Sequence, residues 1–191
     1  MSNPNTLANP APLGLMGFGM TTVLLNIHNA MPTAYPLCSM ILAMGIFVGG
    51  IAQIIAGMME FKKGNTFGLT AFTSYGAFWL SLVAIWVLPK MGVSDKTPEH
   101  FMGWYLFVWG VYTTFMFFGT LKANRAVQFV FASLSVLFFL LDVRDWTESW
   151  VIARLAGFEG IVCGASAIYL AMAEVLNEKF GREVMPIGVV K

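Results

Sequence analysis

The chain has 191 residues, of which 58% are hydrophobic and 11% charged, and its formal net charge is +1. Soluble globular domains carry about 25% charged residues, so this composition excludes an ordinary water-soluble domain. The near-neutral charge provides no basic patch, and no nucleic-acid partner is expected.

Charged residues are distributed in a way that predicts membrane-spanning helices. None occurs before Glu60, and further charge-free runs cover residues 64–89, 100–121, 126–141 and 160–173. A spanning helix needs roughly 20 mainly apolar residues, a length that most of these runs reach. We therefore expect an all-α polytopic membrane protein, a single domain of six transmembrane helices forming a bundle. The predicted spans are residues 12–30, 35–59, 68–88, 101–120, 123–141 and 150–176.

Uncharged polar residues inside these spans suggest a path for a small polar solute. The first span carries Thr22 and Asn26, and the second carries Gln53. Hydroxyls and amides suit such a path because the solute must bind weakly and leave again. Some of these side chains would serve only to bridge neighbouring helices.

The starts of the first and third predicted helices could attract a carboxylate. Prolines at 10 and 12 open the first helix, and Asn65 or Thr66 is a good N-cap for the third. Free N–H groups and the positive end of the helix dipole favour anions at such positions. Ordinary capping explains the same residues equally well.

Small residues recur at helical spacing in the sixth span, at Gly160, Gly164, Ala167 and Ala171. Such a stripe lets helix backbones approach closely. Helix packing is one explanation, and a groove left open for a solute is the other, with Gly164 and Ala167 as pathway candidates.

Two acidic residues lie next to the apolar runs. Glu60 ends the second span beside Lys62 and Lys63, so a solvated ion pair is the simplest expectation for it. Glu159 falls about two turns inside the sixth span, where an ionisable residue suggests a functional role such as a proton relay. A slightly different helix boundary would make it interfacial.

Catalytic, metal and cofactor sites are not expected. His28 and His100 are the only histidines, and neither has enough neighbouring ligands to hold a metal. Cys38 and Cys163 lie in different apolar segments and are read as packing residues. The short predicted loops leave no water-facing domain for an enzyme.

The Lys and Arg counts predict the orientation. With six spans, seven basic residues lie on the side of the termini, including Lys62, Lys63, Lys122 and Lys191, and four lie on the other side. Both termini are therefore expected in the cytoplasm.

Several segments together resemble the acetate uptake transporter family, also called the succinate–acetate permease family. They are NPAPLGL at 9–15, GNTFG at 64–68, TSYGAFW at 73–79 and FGTL at 118–121, in the expected order. The resemblance implies a multi-pass protein of the bacterial inner membrane, a hexamer in which each protomer has its own pore. It implies acetate and succinate as substrates, moved with protons or through a channel-like anion path.

The resemblance also assigns residues to this path. It places an aromatic–aliphatic constriction at Phe18, Tyr75 and Leu134, where the Tyr75 hydroxyl could also donate to a passing carboxylate. Asn9, Glu60, Asn65 and Thr66 match segments associated with substrate binding at the cytoplasmic mouth. The competing hypothesis is a membrane scaffold or assembly subunit that transports nothing, for which the small-residue stripes would suffice.

Overall fold

Six long helices make up most of the chain in the computed structural model, which describes residues 7–190. Lys191, counted above for the orientation, lies outside the described residues. The helices are α1 (Ala11–Ala30), α2 (Ser39–Lys62), α3 (Thr66–Val87), α4 (Glu99–Gly119), α5 (Arg125–Thr147) and α6 (Trp150–Phe180). No strand occurs within the described range, and the predicted all-α fold with six helices is confirmed.

Two helices continue past the predicted membrane spans. Helix α5 extends beyond residue 141 to Thr147, and α6 extends beyond residue 176 to Phe180. Charged residues at helix ends lie beyond the hydrocarbon layer without breaking the backbone hydrogen bonds. Helix α2 begins at Ser39 and not at 35, because Pro36 disfavours helical conformation in the residue before it.

Five of these helices, α2 to α6, are long and apolar enough by themselves to cross a membrane. Helix α1 has the length but a more polar sequence. Its polar residues face the protein interior, since Thr21, Thr22 and Asn26 are all buried. Neighbouring helices therefore cover the polar face of α1, and Thr21 and Asn26 donate to carbonyl groups of α1 itself.

The helices form a closed ring with uneven spacing. Helix α1 packs most extensively on α6 and also on α2, while α2 packs on α3, α4 on α5, and α5 on α6. Close α1–α6 packing depends on glycine: a side chain at Gly164 would overlap the Gly19 carbonyl, and one at Gly160 would overlap Asn26. Helices α3 and α4 are joined mainly by aromatic side chains, such as Phe78 stacked on Tyr105.

A π-helical segment, Met44–Ala52, interrupts the α-helical winding of α2. Glycines at 45, 49 and 50 allow α3 to approach this segment, because side chains there would overlap Val83, Trp79 and Leu80. Nothing in the apolar pattern distinguishes this segment from an α-helix, and it was not predicted.

The outer surface of the ring is apolar. On α4, Phe101, Val108 and Phe115 lie seven residues apart and are each more than 60% exposed. Seven residues are close to two helical turns, so these side chains share one outward face. An apolar outer face of this kind suits lipid or a neighbouring copy in the membrane.

Candidate functional site

Two cavities lie inside the ring of helices. The larger has a volume of about 760 Å³ and extends to the α3–α4 and α5–α6 connections, where Lys90, Lys96 and Arg144 contribute to its wall. The smaller has a volume of about 410 Å³ and extends to the opposite end, where Asn65, Lys122 and Asn124 line it. Together the cavities reach from one end of the bundle to the other.

Three residues line both cavities: Phe18 from α1, Tyr75 from α3 and Leu134 from α5. All three are buried, and the Phe18 and Tyr75 rings have centroids 6.2 Å apart. These are the three residues that the sequence resemblance assigned to the constriction. The structure brings them together between the cavities, and their role as the narrow point stays a prediction.

Tyr75 is held by aromatic rings and by one hydrogen bond from its hydroxyl. Its ring lies 5.6 Å from Tyr112 and 6.1 Å from both Trp109 and Phe131, centroid to centroid. Its hydroxyl donates to Thr113 Oγ1 at 2.9 Å. The hydroxyl that was considered as a donor to a passing carboxylate therefore already has a partner in α4.

The wall of the large cavity is mainly apolar, with polar groups concentrated on α1. Thr22, Asn26 and Asn29 line it there, and Asn29 donates to Asn26 Oδ1 at 3.0 Å. Two buried groups of this wall, Thr22 Oγ1 and Trp79 Nε1, have no hydrogen-bond partner among the described residues. Buried polar groups are normally bonded, so two unpaired groups in residues that line the cavity are unusual.

Charged residues surround the mouth of the large cavity. Arg144 pairs with Asp145 at 2.6 Å, and Lys96 pairs with Glu99 at 3.6 Å. Lys90 also lines this mouth. Glu99, Asp145 and Glu148 line the same mouth, so carboxylates balance its three cations.

The small cavity is lined by Gln53 of α2 and Glu174 of α6. Asn9 connects two elements here, since it donates to Glu174 at 2.9 Å and accepts from Lys63 Nζ at 2.9 Å. Gln53 Oε1 is buried without a partner among the described residues. Asn9 itself does not line the cavity and instead braces the chain entering α1 against the end of α6.

Two helices begin beside the small cavity, and side chains or backbone carbonyls of the protein accept hydrogen bonds from their first N–H groups. Asn65 caps α3 by accepting from Gly68 N at 3.1 Å, and Asn124 caps α5 by accepting from Val127 N at 2.8 Å. The C-terminal segment adds backbone acceptors, since Arg125 N and Ala126 N donate to the carbonyls of Gly188 and Ile187. These contacts favour ordinary capping over an anion site at these helix ends. Thr66 is exposed and lines neither cavity.

Glu60 differs from its simplest expectation. It is fully buried and accepts from Asn65 Nδ2 at 2.8 Å, and neither of the two ion pairs in the described chain includes it. The expected solvated ion pair with Lys62 or Lys63 is therefore wrong, because α3 covers the carboxyl group and Gly68 packs directly against it. Glu60 supports the start of α3 from behind the cavity wall.

The remaining predicted residues lie away from both cavities. Gly164 packs against Gly19 and Val23 of α1, and Ala167 is fully buried in the core. Glu159 accepts a hydrogen bond from Ser133 of α5 and lines neither cavity. Among residues 7–190, no group of three or more His, Cys, Asp or Glu side chains could hold a metal ion.

Sequence reasoning missed the residues behind Tyr75. Trp109, Tyr112 and Thr113 have a spacing of three and four residues, which places them on one face of α4. That pattern could have identified a shared aromatic and hydroxyl face, although not its partner on α3. Glu174 and Asn124 were also missed, since nothing in their local sequence places them at a cavity.

Comparison with known proteins gives close matches over nearly the whole chain. The sequence is 65% identical over 182 residues to the succinate-acetate/proton symporter SatP of Escherichia coli K12, covering 95% of this chain and 96% of that protein. It is 53% identical to an uncharacterized protein of Methanothermobacter thermautotrophicus, covering 94% and 90%. An ammonia transport outward protein of Saccharomyces cerevisiae is 35% identical, covering 90% of this chain and 63% of its own length.

A solved structure confirms the arrangement of the helices. The bacterial acetate channel SatP superimposes with a TM-score of 0.94 at 64% sequence identity, covering 96% of this chain and 100% of that one. The family resemblance drawn from the short motifs is confirmed as well, because residues 2–186 match the family description. The chain belongs to the GPR1/FUN34/yaaH family.

Proposed function

We propose that this chain transports acetate and succinate across the bacterial inner membrane, along the path formed by its two cavities. The observation that carries the proposal is that the cavities extend to opposite ends of the bundle and have Phe18, Tyr75 and Leu134 in common. The 65% identity to the Escherichia coli succinate-acetate/proton symporter supplies the substrates.

The chemistry of the path suits a small carboxylate. Each mouth has a lysine that the anion can contact as it enters, Lys96 at one end and Lys122 at the other. Inside, Thr22 and Trp79 line the large cavity, and the hydroxyl of one and the indole N–H of the other have no hydrogen-bond partner within residues 7–190. Neutral donors bind a carboxylate more weakly than a buried cation would, so the solute can leave again.

In this proposal the constriction excludes larger acids by size. Phe18, Tyr75 and Leu134 present rings and a branched alkyl group, which contact an acetate methyl favourably but leave little room for a larger acid. Succinate must therefore pass in an extended conformation, with one carboxylate leading. The apolar ring also restricts water, so that a carboxylate passes with few of its hydration waters.

The proposed form in the membrane is a homohexamer with one path in each protomer and both termini in the cytoplasm. Both cavities lie inside the helix ring of one protomer, which is why we assign one path to each. The apolar outer face of α4 is available for lipid or for a neighbouring protomer. Enzymatic activity is not part of the proposal, since the named relatives are a symporter and a channel.

Purified protein in liposomes tests the proposal directly through uptake of labelled acetate. Wild-type protein should give saturable uptake, and Leu134→Trp should abolish it because the indole fills the space between the cavities. Val136→Trp is the matched control, since Val136 lies two residues away on the outer surface. Folded wild-type protein that admits no acetate would favour the scaffold hypothesis.

The same liposomes show whether acetate crosses the membrane as a free anion or together with a proton. Acetic acid titrates near pH 4–5, like Asp and Glu, so acetate is almost entirely anionic at pH 7. Movement of the anion must carry current, or else it must be coupled to a proton gradient. Uptake that responds neither to membrane potential nor to a pH gradient would contradict the anion path.

A further inference from the structure

Thr113 of α4 lies directly behind the constriction without lining either cavity. It is fully buried, and its Oγ1 accepts the Tyr75 hydroxyl at 2.9 Å while donating to the Trp109 carbonyl at 2.7 Å. The hydroxyl hydrogen of Tyr75 therefore points toward α4. This arrangement links a residue of the predicted path to one that no solute touches.

The link crosses the most open part of the helix ring. Helices α3 and α4 are connected here by tyrosine hydroxyls, since Tyr112 donates to the Thr70 carbonyl at 3.2 Å and Tyr105 lies 2.6 Å from Ser81 Oγ. Of these three connections, the Tyr75–Thr113 bond is the one that involves a residue lining both cavities. The side chain of Tyr75 thus depends on α4 for its position.

Aromatic contacts alone leave the Tyr75 ring some freedom. Its neighbours lie tilted or edge-on at centroid distances of 5.6–6.2 Å. Such pairs favour a range of geometries and not one orientation. A hydrogen bond from the phenol oxygen, at the far end of the side chain, selects one orientation because the bond requires a particular distance and angle.

We propose that Thr113 is the positioning residue that determines selectivity at the constriction. By anchoring the Tyr75 hydroxyl, it holds the ring across the path, so that Tyr75 acts as a fixed steric barrier and not as a ligand for the carboxylate. This inference rests on the proposed transport function. It assigns the discrimination between acetate and longer acids to a hydrogen bond outside the path.

Threonine has the chemistry that this position requires. Its hydroxyl donates to the carbonyl four residues earlier and still accepts from Tyr75, so both groups are satisfied inside the bundle. Valine has nearly the same shape but no hydroxyl, and it removes the anchor while keeping the volume. Serine keeps the hydroxyl and loses only a methyl group.

The test compares lactate and acetate uptake in liposomes, expressed as a ratio per folded protein. Thr113→Val should raise the ratio about fivefold, the order expected for the loss of one neutral hydrogen bond, and Thr113→Ser should restore it toward the wild-type value. Thr114→Val is the matched control, because Thr114 makes the same kind of bond to the Gly110 carbonyl at 2.9 Å without contacting Tyr75. Its ratio should be unchanged.

Tyr75→Phe provides an independent check that does not alter α4. If the hydroxyl is an anchor, Tyr75→Phe should raise the ratio as Thr113→Val does, and the double variant should show no larger change than either single one. If Tyr75→Phe instead lowers acetate uptake while Thr113→Val leaves the ratio unchanged, the hydroxyl is a ligand and the proposal is overturned. Absence of uptake by the wild-type protein would contradict the transport function itself.

Discussion

At the scale of single residues, the constriction takes one side chain from each of three helices, α1, α3 and α5. Phe18, Tyr75 and Leu134 differ in shape, and only Leu134 has no aromatic ring to be held by its neighbours. Leucine therefore offers the simplest way to widen the path, since shortening it leaves the aromatic contacts around Tyr75 in place.

Leu134→Ala should let lactate or succinate enter more readily relative to acetate. The substitution removes about three methylene-sized groups from the ring around the path, and the uptake ratio in liposomes measures the effect. Val136→Ala, on the exposed surface of the same helix, is the control for general loss of packing. An unchanged ratio with reduced thermal stability would show that Leu134 only packs the core.

Residue types explain which parts of this site could be predicted. Tyr75 lies within a short motif and Phe18 closely follows another, so the resemblance placed both. Thr113 contacts a residue 38 positions earlier, and no local pattern reveals a pairing across that distance. Glu60 looked solvated because it is next to two lysines, whereas its burial depends on α3 folding back over it.

At the scale of helices, the starts of α3 and α5 form a natural comparison. Each has an asparagine N-cap, but Asn65 has a second bond, through Nδ2, to buried Glu60. Capping side chains contribute about 1 kcal/mol each. The additional bond satisfies one oxygen of the Glu60 carboxyl group, which is fully buried and cannot bond to water instead.

Asn65→Ala should therefore destabilise the protein more than Asn124→Ala does. The expected difference is about 1–3 kcal/mol, the cost of leaving a buried polar group without its partner. Thermal unfolding in detergent measures both variants. Equal losses would mean that the Asn65–Glu60 bond contributes nothing beyond the cap.

In the small-residue stripe of α6, Gly164 packs directly against α1. Gly164→Val should lower stability by about 1–3 kcal/mol through overpacking, because the new side chain would meet the Gly19 carbonyl and Val23. Val162→Leu, on the exposed side of α6, is the control. Melting temperatures that agree between the two variants would argue against close α1–α6 packing.

At the scale of the whole molecule, the two ends of the bundle can be distinguished chemically. Lys63 contacts Asn9 near the chain start, whereas Lys96 lines the opposite mouth. Six helices return the chain to the end where it began, as the bond between Asn9 and Glu174 illustrates. The charge-free runs of the sequence predict the six helices and their apolar surface. The π-helical segment of α2 and the two cavities could not be predicted, because they depend on packing between distant segments.

Single cysteines at positions 63 and 96, in a background lacking Cys38 and Cys163, should react from opposite sides of the membrane. The charge count predicts that position 63 is cytoplasmic, so an impermeant maleimide added to intact cells should label only position 96. Labelling of both positions from outside would contradict the six-span topology. Labelling of position 63 alone would show that the protein has the opposite orientation in the membrane.

The cavities have unequal volumes, about 760 and 410 Å³, and we expect an aromatic acid to inhibit more strongly from the side of the larger one. An aromatic acid such as benzoate has a carboxylate for the donors of the large cavity and a ring too wide for the constriction. It would bind there without passing the constriction and would compete with acetate arriving from that side. Oriented liposomes should thus show block by benzoate from the Lys96 side at lower concentrations than from the Lys122 side, and equal block from both sides would mean that the ring passes through or binds elsewhere.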